Sequence, residues 1–397
     1  MLKGKHVLLG VSGSIAAYKA ADLASRLVKA GCDVHVLMTE NACHFINPIA
    51  FETLTSNKCL VDTFDRNFQY SVEHVSLAAQ ADVFITAPAS ADVLAKFACG
   101  IADDMLTTTW LACECPKIAA PAMNTRMYRN PVTQDNLKRL SGYGVRVLTP
   151  ANGRLACGET GDGKLPDVSL LFEAVRAACE YKKDYAGRKV LVTAGPTVES
   201  IDPVRFISNH STGRMGYCLA ENAMLRGADV TLVSGPVSLP AVPWVRMVPV
   251  QSARDMFEAC MEYAPESDII IKAAAVADYT PVTRADEKIK KGSGDLTLNL
   301  KRTDDILGQL GKNRRQGQFL CGFSMETENL IENSRKKLQK KNVDMICANS
   351  LRTPGAGFGT DTNVVTVITR DSETQLPLMS KSETAEKILD LICAQMQ

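Results

Sequence analysis

Residues 187–216, GRKVLVTAGPTVESIDPVRFISNHSTGRMG, decide how this chain is read, because a nucleotide-type fold starts over there. Near the N-terminus the apolar run Val7-Leu8-Leu9 ends in Gly10. A helix-like segment follows from Ile15, and Gly31-Cys32-Asp33-Val34-His35-Val36-Leu37 supplies a helix stop and a second strand. The same grammar returns at the pivot. Val190-Leu191-Val192 ends in Thr193-Ala194-Gly195, a helical pattern runs to Arg226, and Gly227-Ala228-Asp229-Val230-Thr231-Leu232-Val233 supplies the stop and second strand. Each copy predicts a βαβ unit. Val7 to Val34 spans 27 positions and Leu191 to Val230 spans 39, so the second copy carries 12 extra residues in its strand-to-helix connection. That connection lies at the carboxyl end of the first strand, where open α/β sheets bind ligands. Residues 196–213 are therefore a candidate site before any ligand is named.

At 397 residues the chain has room for two domains, each with its own core. A net charge of +1 gives no general attraction to nucleic acid or membrane. The 13 cysteines are scattered and lack paired CxxC spacing, so neither a structural metal nor a disulfide framework is indicated. No signal peptide or apolar run of membrane-spanning length stands out, and a reducing cytoplasm is the expected compartment.

In the first half, Gly10-Val11-Ser12-Gly13-Ser14-Ile15 places glycine and serine between the first strand and the first helix, where backbone N–H groups and the helix dipole favour a phosphate. A GxGxxG dinucleotide fingerprint would need glycine at positions 12 and 15, which are Ser12 and Ile15. A mononucleotide such as FMN fits better than NAD. Thr39, ending the second strand, adds a hydroxyl at the same edge. Val83-Phe84-Ile85-Thr86-Ala87-Pro88-Ala89-Ser90 reads as a buried strand running into a small-residue loop that admits a flat ring or a phosphate. A further strand, 117–124, ends in Asn124, and His74 lies upstream of both. Residues 153–163 form a glycine-rich segment with too little apolar content for an ordinary strand, carry Cys157, and read as a mobile flap. Each has a plainer reading when taken singly: a satisfied histidine, a helix cap, an inert thiol.

In combination GVSGSIAAYK, the His74 segment, TAPAS, PAMN and LACGETGDG, in this order, resemble the flavin-dependent cysteine decarboxylases acting on phosphopantothenoylcysteine. The resemblance covers about residues 5–167. It implies a flavodoxin-like, Rossmann-like flavoprotein domain at 1–182, with Gly10, Ser12, Gly13, Thr39, Thr86 and Ser90 around FMN. His74 would take part in substrate oxidation, Asn124 would bind the substrate carboxylate, and Cys157 would donate the proton. Lys164 stands where relatives often have arginine. The chemistry accounts for such an inventory: direct loss of CO2 from an N-acylcysteine leaves an unstabilised carbanion, whereas oxidation of the thiol to a thioaldehyde first provides an electron sink. Reduced flavin and an acid then return hydride and proton.

The second half opens after a closing helix at 171–181 and a short polar link at 182–186. Ser208-Asn209-His210-Ser211-Thr212-Gly213 is a polar, glycine-ended loop before a helix, suited to an anion. Ile269-Ile270-Ile271 runs through Lys272 and Ala273-Ala274-Ala275 to Asp278, a strand end against which a nucleotide can lie. Lys288-Ile289-Lys290-Lys291 and the helical run 335–341, which puts Lys337 and Lys341 on one face, supply charge for a triphosphate.

From about residue 187 to the C-terminus, TAGPTVESIDPVRFISNHSTGRMG, AAAVADY, EKIKK, GFSMET and DMICAN resemble phosphopantothenate–cysteine ligase. The resemblance implies a Rossmann-like nucleotide-binding domain at 187–397. Asn209 and Arg205 would sit at the acyl-nucleotide. Asp278, Lys288, Phe323, Lys337 and Lys341 would surround CTP, with Ala273, Ala274 and Ala275 as backbone contacts. Asp304, Asp305, Ile306 and Leu307 occupy a segment that usually reads Pro-Asp-Ile, so Asp304 replaces a proline. Arg214 replaces a common lysine. A carboxylate condenses with an amine only after activation, here as an acyl-cytidylate, with lysines and Mg2+ stabilising the departing pyrophosphate. Mg2+ is expected mainly through the CTP phosphates, with no protein ligand assigned.

The expectation is a bifunctional α/β enzyme of coenzyme A biosynthesis that takes 4'-phosphopantothenate, cysteine and CTP. The resemblance implies a homo-oligomer, a trimer-based dodecamer with dimeric ligase contacts near the pivot. One competitor, a nicotinamide dehydrogenase, is disfavoured by the incomplete fingerprints. Another, a flavin-binding regulatory subunit, is disfavoured by His74, Asn124 and Cys157. Retention of only one of the two activities is the remaining alternative.

Overall fold

Runs of valine, leucine and isoleucine become strands that a parallel sheet buries on both faces, so these strands need no apolar-polar alternation. In this computed structural model, which describes residues 2–64, 73–156, 158–290, 296–326, 330–350, 357 and 359–396, such runs build two units, Met1–Tyr181 and Lys182–Gln397.

In the first unit β1 (His6–Val11), β2 (Asp33–Met38), β3 (Val83–Ala89), β4 (Lys117–Pro121) and β5 (Arg146–Val147) form a parallel sheet in the order β2-β1-β3-β4-β5. The chain leaves β1 in one direction for β2 and returns on its other side for β3. The crevice outside the carboxyl ends of β1 and β3 is therefore the topological switch point. The helices are α1 (Ala17–Lys29), α2 (Glu40–Cys43), α3 (Pro48–Thr55), α4 (Glu73–Gln80), α5 (Ala91–Cys99), α6 (Met105–Ala112), α7 (Thr125–Arg129), α8 (Pro131–Gly142) and α9 (Val168–Glu180). One core cluster centres on Trp110, whose ring stacks on Phe97 at 3.9 Å and meets Phe84 edge-on at 5.1 Å.

The glycine-rich segment differs from its sequence reading. β6 (Ala151–Arg154) and β7 (Thr160–Lys164) pair as an antiparallel ribbon. Polar contacts replace apolar burial: Thr125 Oγ1 donates to Asp162 O at 2.8 Å, Met123 N donates to Gly163 O at 3.0 Å, and Arg129 pairs with Asp162 at 2.7 Å. Gly163 has φ +120°, and a Cβ there would lie 2.3 Å from Met123 O, so only glycine permits this docking.

The second unit runs β8 (Lys189–Ala194), β9 (Val198–Ser200), β10 (Phe206–Ser208), α10 (Arg214–Leu225), β11 (Asp229–Ser234), β12 (Arg246–Pro249), α11 (Ala253–Tyr263) and β13 (Ile269–Lys272). It continues through β14 (Tyr279–Pro281), β15 (Leu300–Arg302), α12 (Ile306–Asn313), β16 (Phe319–Glu326), α13 (Leu330–Lys340) and β17 (Met345–Ser350). It ends in β18 (Thr362–Asn363), β19 (Thr366–Thr369), β20 (Glu373–Gln375), β21 (Met379–Ser380) and α14 (Lys381–Gln395). The main sheet has the order β12-β11-β8-β13-β16-β17-β19-β20, parallel through β17 and antiparallel beyond. Its order reverses between β8 and β13. The residues that lengthen the second βαβ copy form the β9–β10 hairpin, and Pro196 bridges to Ala275 at that reversal. Gly216 lets α10 lie close on β8, since a Cβ there would be 2.5 Å from that of Ala194.

The stretch read as a polar link is packed. Tyr185 is buried, its hydroxyl donates to Leu389 O at 2.6 Å, and Asp184 pairs with the buried Arg226.

Candidate functional site

At the β1/β3 edge of the first unit, close backbone approach is set by two small residues. A Cβ on Gly10 would lie 2.7 Å from Thr86 Oγ1, and one on Gly13 would lie 2.8 Å from Asn41 Cβ. Ser12 Oγ donates to Pro88 O and accepts from Ser90 N, both at 2.8 Å, so its proton joins two loops. Thr39 accepts from Ala42 N and caps α2, and Ser90 accepts from Val93 N and caps α5. Thr86 differs. Its hydroxyl is buried and has no hydrogen-bond partner among the described residues. An orphaned hydroxyl at the switch point suits a polar ligand edge, because leaving it unpaired costs about 1–3 kcal/mol.

Asn124 caps α7: its Oδ1 accepts from Arg126 N at 2.8 Å, and its Nδ2 lies 3.4 Å from Glu159 Oε2 on the ribbon side. Cys157 lies outside the described residues. His74 is part-exposed in the first turn of α4, and among the described residues no hydrogen bond or ion pair joins it to Thr86, Ser90 or Asn124.

The second unit has a cavity of about 790 Å³ at its own reversal point. Asn209, Ala273, Ala274, Ala275, Asp278, Asp304, Asp305, Ile306, Leu307, Phe323, Lys337 and Lys341 all line it. The N-terminal turn of α10 faces it too, entered through Gly213 at φ +77°, and its first backbone N–H groups have no partner within the helix. The strand end is already organised. Ala273 N donates to Thr193 O, Ala274 N to Thr193 Oγ1, and Ala275 N to Gly195 O, so these three N–H groups are engaged within the protein. Asn209 Nδ2 donates to Ala275 O at 2.8 Å, which ties the pivot loop to the strand end. Asp304 pairs with Arg254 at 3.2 Å; Asp305 caps α12 through Gly308 N and pairs with Lys341. Desolvation alone would lift the Asp305 carboxyl, but Lys341 and the Gly308 N–H hold it below its ordinary value.

Arg205 and Lys288 do not line this cavity. They stand together nearby: Arg205 Nη2 donates to Ile289 O at 2.5 Å, and Lys288 is the exposed neighbour of that residue. The organiser is Asp202, which precedes Pro203. Its carboxylate accepts from Val204 N at 2.8 Å, Arg205 N at 2.7 Å and Ile289 N at 3.2 Å. Burial would raise this carboxyl, yet the three N–H groups and Arg205 hold it below its ordinary value. Lys272 and Lys381 also line the cavity and were missed. An isolated lysine at a strand end or at a helix start has no distinguishing pattern in sequence.

Among the described residues no helix is long and apolar enough to cross a membrane.

Comparison with known proteins gives two matching family models, Flavoprotein over residues 1–180 and DNA/pantothenate metabolism flavoprotein C-terminal domain over residues 185–396. The coenzyme A biosynthesis bifunctional protein CoaBC of Bacillus subtilis (strain 168) is 48% identical over 398 residues, 99% of this chain and 98% of that protein. Among solved structures, a PPC decarboxylase mutant complexed with pantothenoylaminoethenethiol is 32% identical over 44% of this chain and 97% of that one, with TM-score 0.40. The FMN-dependent cysteine decarboxylase SpaF is 34% identical over 45% of this chain and 99% of that one, also with TM-score 0.40.

Proposed function

The chain belongs to the family of bifunctional coenzyme A biosynthesis proteins, and from that premise we propose how its two units divide the chemistry. The protein is a decarboxylase and a ligase of that route. The second unit would use CTP and Mg2+ to join 4'-phosphopantothenate to cysteine. The first would decarboxylate 4'-phosphopantothenoylcysteine to 4'-phosphopantetheine with FMN.

The observation that carries the ligase assignment is convergence on one cavity: the N-terminus of α10, the strand end at 273–275, and Lys337 and Lys341. Helix N–H groups and lysines suit a triphosphate. Asn209, held against Ala275 O, would orient the acyl-cytidylate for attack by the amine of cysteine. Arg205, whose backbone N–H Asp202 accepts, and Lys288, next to Ile289 whose N–H Asp202 also accepts, would close over the phosphates and stabilise pyrophosphate as it leaves. Mg2+ would enter on the triphosphate.

In the first unit the orphaned Thr86 hydroxyl and the close-packed glycines fit FMN at the β1/β3 edge. Bound there, FMN would take up two electrons as the thiol is oxidised and return them after CO2 leaves. Ser12 would hold the two cradle loops together. Asn124 would turn its amide N–H, a donor, toward the substrate carboxylate, since its Oδ1 is occupied by Arg126 N. His74 would assist the oxidation and Cys157 would protonate the enethiolate.

A cytoplasmic homo-oligomer completes the proposal. Val204 and Phe206, 57% and 58% exposed beside the pivot hairpin, support a contact between copies there. The test supplies phosphopantothenate, cysteine, CTP and Mg2+ to the purified yellow protein and follows products by mass. CMP, pyrophosphate, CO2 and 4'-phosphopantetheine are expected. Accumulation of phosphopantothenoylcysteine without CO2, or AMP formation from ATP in preference to CMP, would overturn the corresponding half.

A further inference from the structure

Lys272 ends β13, half-buried, and lines the cavity of the second unit. Four surrounding segments bring titratable groups toward it. Cys260 comes from α11, Asp278 from the loop after β13, Asp305 from the cap of α12, and Lys337 from α13, with Lys341 one turn beyond. None of them serves as its dedicated counter-ion. Burial pushes the Cys260 thiol up to about 12, so it stays neutral. Asp305 is occupied by Lys341 and Gly308 N. Asp278 is exposed to solvent, and Lys337, bonded to Phe323 O at 3.2 Å, repels. Among the described residues Lys272 Nζ makes no hydrogen bond or ion pair. An ammonium partly withdrawn from water without a partner is disfavoured relative to the neutral amine. Desolvation, reinforced by Lys337, pulls this amine down to about 8.

We infer that Lys272 is a nucleotide-binding residue whose counter-ion is the bound nucleotide's phosphate, so that binding takes up a proton in mildly alkaline solution. The inference rests on the reading of this cavity as the nucleotide site. The proton balance is simple: neutral amine, one solvent proton and the nucleotide polyanion give an ammonium–phosphate pair, with no bond to carbon or phosphorus changed. A polyanion beside the amine favours its charged form and returns it toward the ordinary lysine value of about 10.4. Affinity must then fall as pH rises through 8, because the free protein has to gain a proton to bind. With the free amine near 8 and the bound one near its ordinary value, the dissociation constant rises roughly five- to tenfold from pH 7.5 to 9. The triphosphate is already fully ionised over that range.

The test measures CTP and ATP binding to the full chain by calorimetry at pH 7.5 and 9, each in two buffers of different ionisation enthalpy. Wild type should weaken by that factor and take up close to one proton at pH 9. Lys272→Arg keeps a permanent cation, so it should bind at both pH values with no proton uptake. Lys272→Met should bind weakly at both, again without uptake. Wild-type proton uptake surviving in either variant overturns the inference, and a flat wild-type profile does the same. If Lys272→Met fails to fold, the arginine variant alone decides. Wild type that binds neither nucleotide overturns instead the reading of the cavity as a nucleotide site.

Discussion

Cutting the chain at Gly187 rather than Lys182 should take away much of the second unit's stability. The removed residues include Tyr185, 2% exposed, whose hydroxyl donates to Leu389 O and whose ring lies 4.8 Å from the Arg226 guanidinium carbon. They also include Asp184, which holds the Arg226 side chain, itself 5% exposed, through two hydrogen bonds at 2.8 and 2.5 Å. Emptying a buried aromatic site costs about 3–5 kcal/mol. Arg226 keeps Asp390 at 2.9 Å, so losing its other carboxylate adds a smaller cost, about 1–2 kcal/mol. The sum, about 4–7 kcal/mol, is a large share of the 5–15 kcal/mol that holds a typical domain folded, roughly half of it. At about 2–4 °C per kcal/mol for a domain of this size, the fragment 187–397 should melt some 10–25 °C below the fragment 182–397. Thermal unfolding followed by circular dichroism measures the difference, and Tyr185→Ala in the longer fragment should reproduce most of it. Melting points within about 3 °C of each other would refute the role given to these residues.

Three further outcomes follow from the sites. His74→Asn should abolish CO2 release, whereas Cys157→Ser should still release CO2 and accumulate the oxidised enethiol; equal loss of CO2 in both sinks the assignment. Lys288→Gln should prevent pyrophosphate release in the absence of cysteine. Asn209→Asp should permit that release but stall its acyl-cytidylate, because a carboxylate cannot donate to Ala275 O and repels the intermediate's phosphate; mass detection of the intermediate decides between them. Asp202 has a folded carboxyl below its ordinary value of 3.8, so its contribution to stability is fully present above that value and is lost as pH falls through the folded one. Asp202→Asn should accordingly melt below wild type at neutral pH, with the gap closing under acid; a gap that persists undiminished to pH values well under about 4 argues against the carboxylate clamp.

The strands at 7–9 and 190–192 were legible because buried parallel strands are written as unbroken apolar runs, and the glycines after them mark where backbone must turn. The strands at either end of 153–163 were not legible because β6, β7 and α7 are held together by hydrogen bonds, which leave no hydrophobic pattern. The same limit applies to the 182–186 link, where Tyr185 stands among polar residues in sequence yet is buried under α10 and α14.

Sequence by itself determined the two α/β halves, the lengthened connection at the second switch point, and the residue types placed around each crevice. These depend on local pattern and on motifs whose members lie close together along the chain. Only the tertiary structure decided that Asp202 clamps the Arg205 and Ile289 backbones and that, among the described residues, the Thr86 hydroxyl is orphaned and Lys272 makes no ion pair. The physical reason is that desolvation and hydrogen-bond satisfaction are set by which distant segments converge on a group. A residue's identity states what it can donate, accept or ionise; its surroundings in the folded chain determine whether that capacity is already occupied.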